Sequence, residues 1–204
     1  MDLNVFLEPK IKLPKITKVL DELGPMGRLE TIRGWERGTQ SALFDAARGY
    51  LPLTLEHFVP ASVGSLTEVI HHGKNSLAAF THFQKRFCRV VSKDGKDVHV
   101  IGYNHQDMAL WTGPGYYYAR QGAPEDKAEA SGEGEVLIDY RTVPAVKPEG
   151  WPEILPNSAR LGRFVYGGMI DVMRGISRHV SIGRARKQGK WMDAWFVLCR
   201  EDAD

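Results

Sequence analysis

The sequence predicts an α+β fold that is mainly β: an antiparallel β-barrel or strongly curved sheet, with two or three helices at its N-terminal side. Three observations carry this. The stretch from Arg163 to Arg200 reads as consecutive strands joined by glycine turns, with Arg174, Arg178, His179, Arg184 and Arg186 set among Trp, Phe, Val and Ile. Such a mixture suits a curved sheet with one wet and one dry face. Apolar residues recur at spacings of three and four before residue 90 and of two after it. The strands so read number about seven or eight, which closes a barrel able to hold one small ligand; an open sheet packed on helices is the structural alternative.

The 204 residues are expected to form one domain, 1–204, with a helical arm over 1–48 packed on a β-barrel region over 62–204 that carries a helix over 76–90. In LPKITKVLDELGP, Pro14 suits a helix start, Ile16, Val19, Leu20 and Leu23 fall at helical spacing, and Gly24-Pro25 supplies a stop. A second helix is expected over Glu36 to Arg48, ended by Gly49. The prolines of PLTLEHFVP forbid a long helix, and β-branched residues around Thr67 and Ile70 lead a strand into His71-His72-Gly73. Leu77, Phe80, Phe83 and Phe87 then predict the helix over 76–90 as a lid on the sheet.

Beyond residue 90 the strands follow in turn. The segment SKDGKD is a tight turn into Asp97–Tyr103, MALW and GYYYARQ flank a Gly-Pro-Gly bend, and residues 122–134 form a mobile loop. Glu135–Val143 is a strand, and the proline-rich AVKPEGWPEILPNS is an ordered crossing loop near the mouth of the sheet. Phe164–Tyr166, Met169–Gly175, His179–Arg186 and Trp191–Arg200 complete the set.

A formal charge of +2 is too mild to imply a polyanionic partner. Cys88 and Cys199 match no metal-ligand spacing and read as two buried reduced thiols. No segment reads as a secretion signal or a membrane span, so a cytoplasmic, bacterial-type protein is expected. Edge strands of an unclosed barrel allow a homodimer. Nothing in the sequence specifies a cofactor or metal.

The order LFDA, PLTLEHF, GKNSL…FQKRF and finally MIDVMRGISRHVSIGRARKQGK…WFVLCRE resembles the bacterial lipocalin-like domains named for a Gly-X-Trp-X-Gly motif, with their companion C-terminal β-segment. The resemblance runs loosely over the chain after residue 40. Where the motif belongs, this chain reads Ser62-Val63-Gly64-Ser65-Leu66-Thr67-Glu68, so the motif is absent. The resemblance implies a lipocalin-like β-barrel and carries over no functional residue.

The densest polar constellation is His71-His72 beside Lys74 and Asn75. On a strand only one of two adjacent imidazoles looks into a barrel. That one is the candidate acid or base, with Asp139 as its carboxylate; the alternative is a strand end whose imidazoles bond to backbone. Trp111, Tyr116 and Tyr118 are candidate ligand-binding aromatics, with Tyr117 on the opposite face. Arg141, Arg174 and His179 are candidates for the polar end of the ligand, and His179 shares its side with the small residues Ser181, Gly183 and Ala185. Asp171 is a second candidate carboxylate. The function expected is binding of a small hydrophobic or amphipathic molecule inside the barrel. A cofactor-free isomerase, cyclase or lyase using a His and a carboxylate in that cavity is the alternative. Weak nucleic-acid or membrane-surface binding through Lys10 to Lys18 and the basic strands ranks third.

Overall fold

The computed structural model describes residues 11–77, 81–92, 98–105, 113–123, 126, 134–159 and 162–202. Eight antiparallel strands close into a barrel in sequence order. They are β1 (Val69–Asn75), β2 (His82–Val91), β3 (Val98–His105), β4 (Tyr116–Gln121), β5 (Val136–Asp139), β6 (Met169–Gly175), β7 (Val180–Lys187) and β8 (Lys190–Arg200). The ring is sealed by β8 on β1, where Gly73 pairs with Leu198 and Asn75 with Phe196. Closure removes the edge strands that an open sheet exposes. Helices α1 (Leu13–Glu22), α2 (Pro25–Arg33), α3 (Arg37–Ala46), α4 (Leu55–Phe58) and α5 (Gly162–Val165) complete the described elements.

The N-terminal helices cover the outer wall. Leu13, Ile16 and Leu20 of α1, Ile32 of α2 and Leu43 and Phe44 of α3 pack on Ile170, Val172, Ile182, Trp195 and Val197, whose side chains leave the barrel outward. With helices outside and a packed lumen inside, β5 and β6 are dry on both faces. This is why their sequences VLID and MIDVMRG read as continuous runs rather than alternating ones. Gly24 precedes and Pro25 opens α2, so the dipeptide that stops α1 also starts a helix the spacing did not predict.

The two ends are closed differently. At one end α4 and the segment after it form a plug: Arg89 donates to the carbonyls of Val59 (2.7 Å), Pro60 (3.0 Å) and Val63 (2.9 Å), and Gln121 Nε2 donates to Leu53 O at 2.8 Å. At the other, Tyr166 of the turn after α5 lies flat on Tyr140, centroids 5.3 Å apart. The β7–β8 hairpin turns on Gln188 and Gly189, both with positive φ (49° and 77°), the pair of left-handed residues that a two-residue turn between twisted strands requires.

Two expectations are corrected. The segment assigned to a helix over 76–90 is strand from His82 onward, because Phe83, Lys85 and Phe87 share one face at period two and both neighbours, β1 and β3, supply ladder hydrogen bonds. Phe164–Tyr166 is not a strand: Tyr166 N donates to Gly162 O at 2.6 Å, closing a helical turn. The crossing loop packs its Trp151 on the outer wall, against Tyr103 and Tyr116, and donates from the indole to Glu68 at 2.6 Å. The expected turn at 93–97, the MALW strand at 108–111 and most of the loop over 122–134 lie outside the described residues. Among the described residues no helix is long and apolar enough to cross a membrane.

Candidate functional site

Register decides which side chains enter the barrel. The inward set includes His71 and Gly73 of β1, Phe83, Lys85 and Phe87 of β2, Gly102 and Asn104 of β3, and Tyr117 of β4. It continues with Asp171 and Met173 of β6, Ser181, Gly183 and Ala185 of β7, and Phe196 and Leu198 of β8. Several aromatic rings lie over glycines. A Cβ on Gly73 meets the Phe83 ring at 2.5 Å, and one on Gly102 meets the Tyr117 ring at 2.6 Å. Gly183 does belong to a face of small residues, as its sequence predicts, but the room above it holds the Phe196 ring and the Met173 sulfur, 2.6 Å from a Cβ placed there.

Within this aromatic lining sits one ionic cluster. The Lys85 ammonium donates to Asn104 Oδ1 at 2.8 Å and to the Tyr140 hydroxyl, and it lies 3.1 Å from Asp171 Oδ2. The Tyr140 hydroxyl donates to Asp171 Oδ2 at 3.2 Å and accepts from Asn104 Nδ2 at 3.2 Å. All three ammonium protons therefore have an oxygen. Lys85 Nζ also stands 5.0 Å from the ring centroid of Tyr117 and 5.1 Å from that of Phe196, aromatic rings that favour a cation. Both charged side chains are only 3% exposed. Burial pushes the Lys85 pKa down, against the pull of Asp171. Burial, then the Asp171 charge, holds the Tyr117 and Tyr140 phenols well above their ordinary range, so both remain neutral donors. Chemically the cluster offers an ammonium, a phenol, an amide and a carboxylate within hydrogen-bond reach of one another.

The residues singled out in the sequence are dispersed. His71 is the inward imidazole of its pair, at the plug end: its Nε2–H donates to Phe58 O at 3.0 Å and its ring stacks on Phe58 at 5.5 Å. Burial drives its pKa down to about 3, so the ring is neutral and Nδ1, which finds no hydrogen-bond partner among the described residues, is an acceptor. His72 faces outward, 2.5 Å from Glu201, and Lys74 reaches Arg33 O at 2.6 Å and Glu36 at 3.1 Å. Asp139 is also outside, held by Arg141 Nη2 at 2.6 Å, so the proposed acid and the buried His71 stand on opposite sides of the wall.

The aromatic expectation inverts. Tyr117 faces in, whereas Tyr116 is buried beneath the crossing loop, donating to Pro152 O at 2.6 Å, and Tyr118 meets His99 edge-on at 5.9 Å. Alternation required one face or the other, and the apolar loop outside gave the two-tyrosine face its cover. Trp111 lies outside the described residues. Arg174 is fully buried but outside the lumen, donating to Glu135 at 2.6 Å and to Phe44 O at 2.7 Å with its guanidinium 3.9 Å over the Phe44 ring. His179 precedes β7 and places Nδ1 3.0 Å from Asp202; burial, followed by Arg28, lowers its pKa.

Sequence reasoning found Asp171 and missed Lys85, Asn104 and Tyr140. The signal for Lys85 was the alternation Phe83, Lys85, Phe87, which a helical reading of the same segment conceals. Cys88 and Cys199 are buried free thiols, and burial raises Cys88 to about 12, as expected of inert structural cysteines. Among the described residues no three His, Cys, Asp or Glu side chains are grouped to hold a metal ion. Compared with family models, curated proteins and solved structures, the chain matches none.

Proposed function

We propose that the barrel binds a small hydrophobic or amphipathic molecule whose polar end meets Lys85, Asn104, Tyr140 and Asp171. The observation that carries this reading is a fully desolvated ion pair set in an aromatic lumen. Taking two charges out of water costs several kcal/mol per ion before their attraction returns any of it, so a purely structural core gains nothing by choosing them over apolar side chains. A ligand with a carbonyl, carboxylate or hydroxyl gains a site of matched donors and acceptors. In this reading the apolar part takes the volume now filled by Phe83 and Phe196, rings that rest on the backbone of Gly73 and Gly183 and move aside to admit it. The sequential eight-strand closure with helices on the wall is consistent with a lipocalin-like container.

The cofactor-free isomerase, cyclase or lyase reading loses its His71–Asp139 pair. One observation keeps it as a second reading: the Tyr140 hydroxyl lies between an ammonium and a carboxylate, an arrangement suited to passing a proton to and from a bound carbonyl compound. Nucleic-acid or membrane-surface binding through the basic arm stays third; Lys18 there lies 3.8 Å from Glu22 on its own helix.

Native mass spectrometry of the purified chain tests the first reading, with a fluorescent amphiphile as probe. A stoichiometric small molecule, or saturable probe binding that Tyr140→Phe weakens by about tenfold at unchanged fold, is expected, because one buried hydrogen bond to a charged group is worth roughly 1.5–3 kcal/mol. A chain that carries nothing and takes up no probe would overturn it.

A further inference from the structure

Outside the wall, the end of β5, the turn before β6 and the β7–β8 hairpin enclose a cleft of about 310 Å³ lined by Arg141, Gly168, Ile170, Arg186, Gln188 and Gly189. Ile170 and Asp171 are consecutive on β6, so cleft and lumen are back to back and the cleft does not depend on the interior reading. We propose that this cleft is a binding site for a phosphate group, held by Arg186.

The charge pattern carries it. Among the described residues the carboxylates nearby are already engaged: Asp126 accepts two hydrogen bonds from Arg120 (2.5 and 2.8 Å), which pull its pKa down, and Asp139 accepts from Arg141. Arg186 has no carboxylate partner among the described residues. It donates to Gly189 O at 2.7 Å and stands 5.2 Å from the Trp191 ring. Its guanidinium therefore lines the cleft without a matching carboxylate, and an oxyanion there supplies the counter-charge. Lys190, exposed at the start of β8, adds positive charge at the rim, which favours a dianion over a monoanion.

The shape fits as well. Gly168 and Gly189, with φ of 69° and 77°, present backbone without side chains, so a ligand approaches closely. Gln188 N donates to Gly168 O at 3.2 Å, tying the hairpin to the facing turn, so the cleft is preformed. Arginine is the residue suited to such a task, since its planar fork matches two phosphate oxygens at once.

Calorimetric titration of the full chain with inorganic phosphate, phenyl phosphate and acetate tests the proposal. Both phosphates are expected to bind saturably and acetate much more weakly. Arg186→Gln should weaken phosphate by about tenfold or more, the loss of a charge-assisted hydrogen bond, and Lys18→Gln, on the remote α1, should leave it unchanged. Arg186→Lys, which keeps the charge and loses the fork, should fall between and carries the test if Arg186→Gln does not fold. Equal affinity for the two phosphates identifies free phosphate as sufficient; tighter phenyl phosphate identifies an organic monoester. No saturable binding, acetate binding as tightly, or equal losses in the Arg186 and Lys18 variants would overturn the site and leave the lumen reading untouched.

Discussion

His71 shows how burial, more than neighbouring charge, sets the charge state of a residue. Its imidazole is enclosed by Phe58, His57 and Phe87, with Arg200 opposite it on β8 and Lys85 opposite it on β2. The charges that act on it are Arg200, His72 and His179, all of which oppose protonation. The folded ring stays neutral down to about pH 3, whereas the unfolded chain protonates near 6.5. Between those values the unfolded state binds more protons, so stability falls as the pH drops through this window, by ~1.4 kcal/mol per pH unit for this one group. Urea midpoints measured from pH 7.5 to 4 should fall at least that steeply, since burial shifts His57 and His179 the same way, and His71→Leu should be flatter by about one proton. An identical pH dependence in the variant would show that His71 is not the group responsible. That one of the two histidines had to face inward was legible from strand alternation; which one, and how dry its surroundings are, depends on α4 arriving from elsewhere in the chain.

Among the elements, α3 is seated by a buried cation as well as by its apolar stripe. Arg174 leaves β6 outward, bonds a backbone carbonyl of α3 and stacks on Phe44 while its charge is met by Glu135. Arg174→Met removes the partner of a carboxylate whose side chain is 4% exposed, and breaking a buried pair in this way costs about 3–5 kcal/mol. Urea unfolding should report a loss of that size, and Glu135→Gln added to Arg174→Met should recover part of it; a loss below about 1 kcal/mol would mean that α3 is held by its apolar stripe alone. The stripe of α1 and the span of α3 could be read from spacing because each buries one face against a wall. The reverse held for β2: Phe80, Phe83 and Phe87 satisfy a helical period, and only the pairing of β2 with strands on both sides selects the extended form.

At the scale of the whole molecule, an internal ion pair is carried by a barrel that encloses it. Lys85→Met alone strands Asp171 in an apolar lumen and should cost about 3–5 kcal/mol, while Lys85→Met combined with Asp171→Leu should regain most of it. Tyr140 and Asn104 remain able to bond one another, since they already do so at 3.2 Å. Thermal or urea unfolding of the two singles and the double checks this; a double variant less stable than either single would show the pair to be a net stabiliser. Local pattern was enough to specify strands of alternating or continuous apolar character, glycine turns, amphipathic N-terminal helices and a strand count fit for a closed barrel, because hydrophobic period and turn chemistry act between neighbours in the chain. It left undecided which face of each strand became the lumen, since alternation offers two equivalent faces until helices, plug and crossing loop cover one. Lys85 and Asp171, 86 positions apart by their numbers, meet only because β2 and β6 stand across the same lumen, and no spacing along the chain encodes that distance.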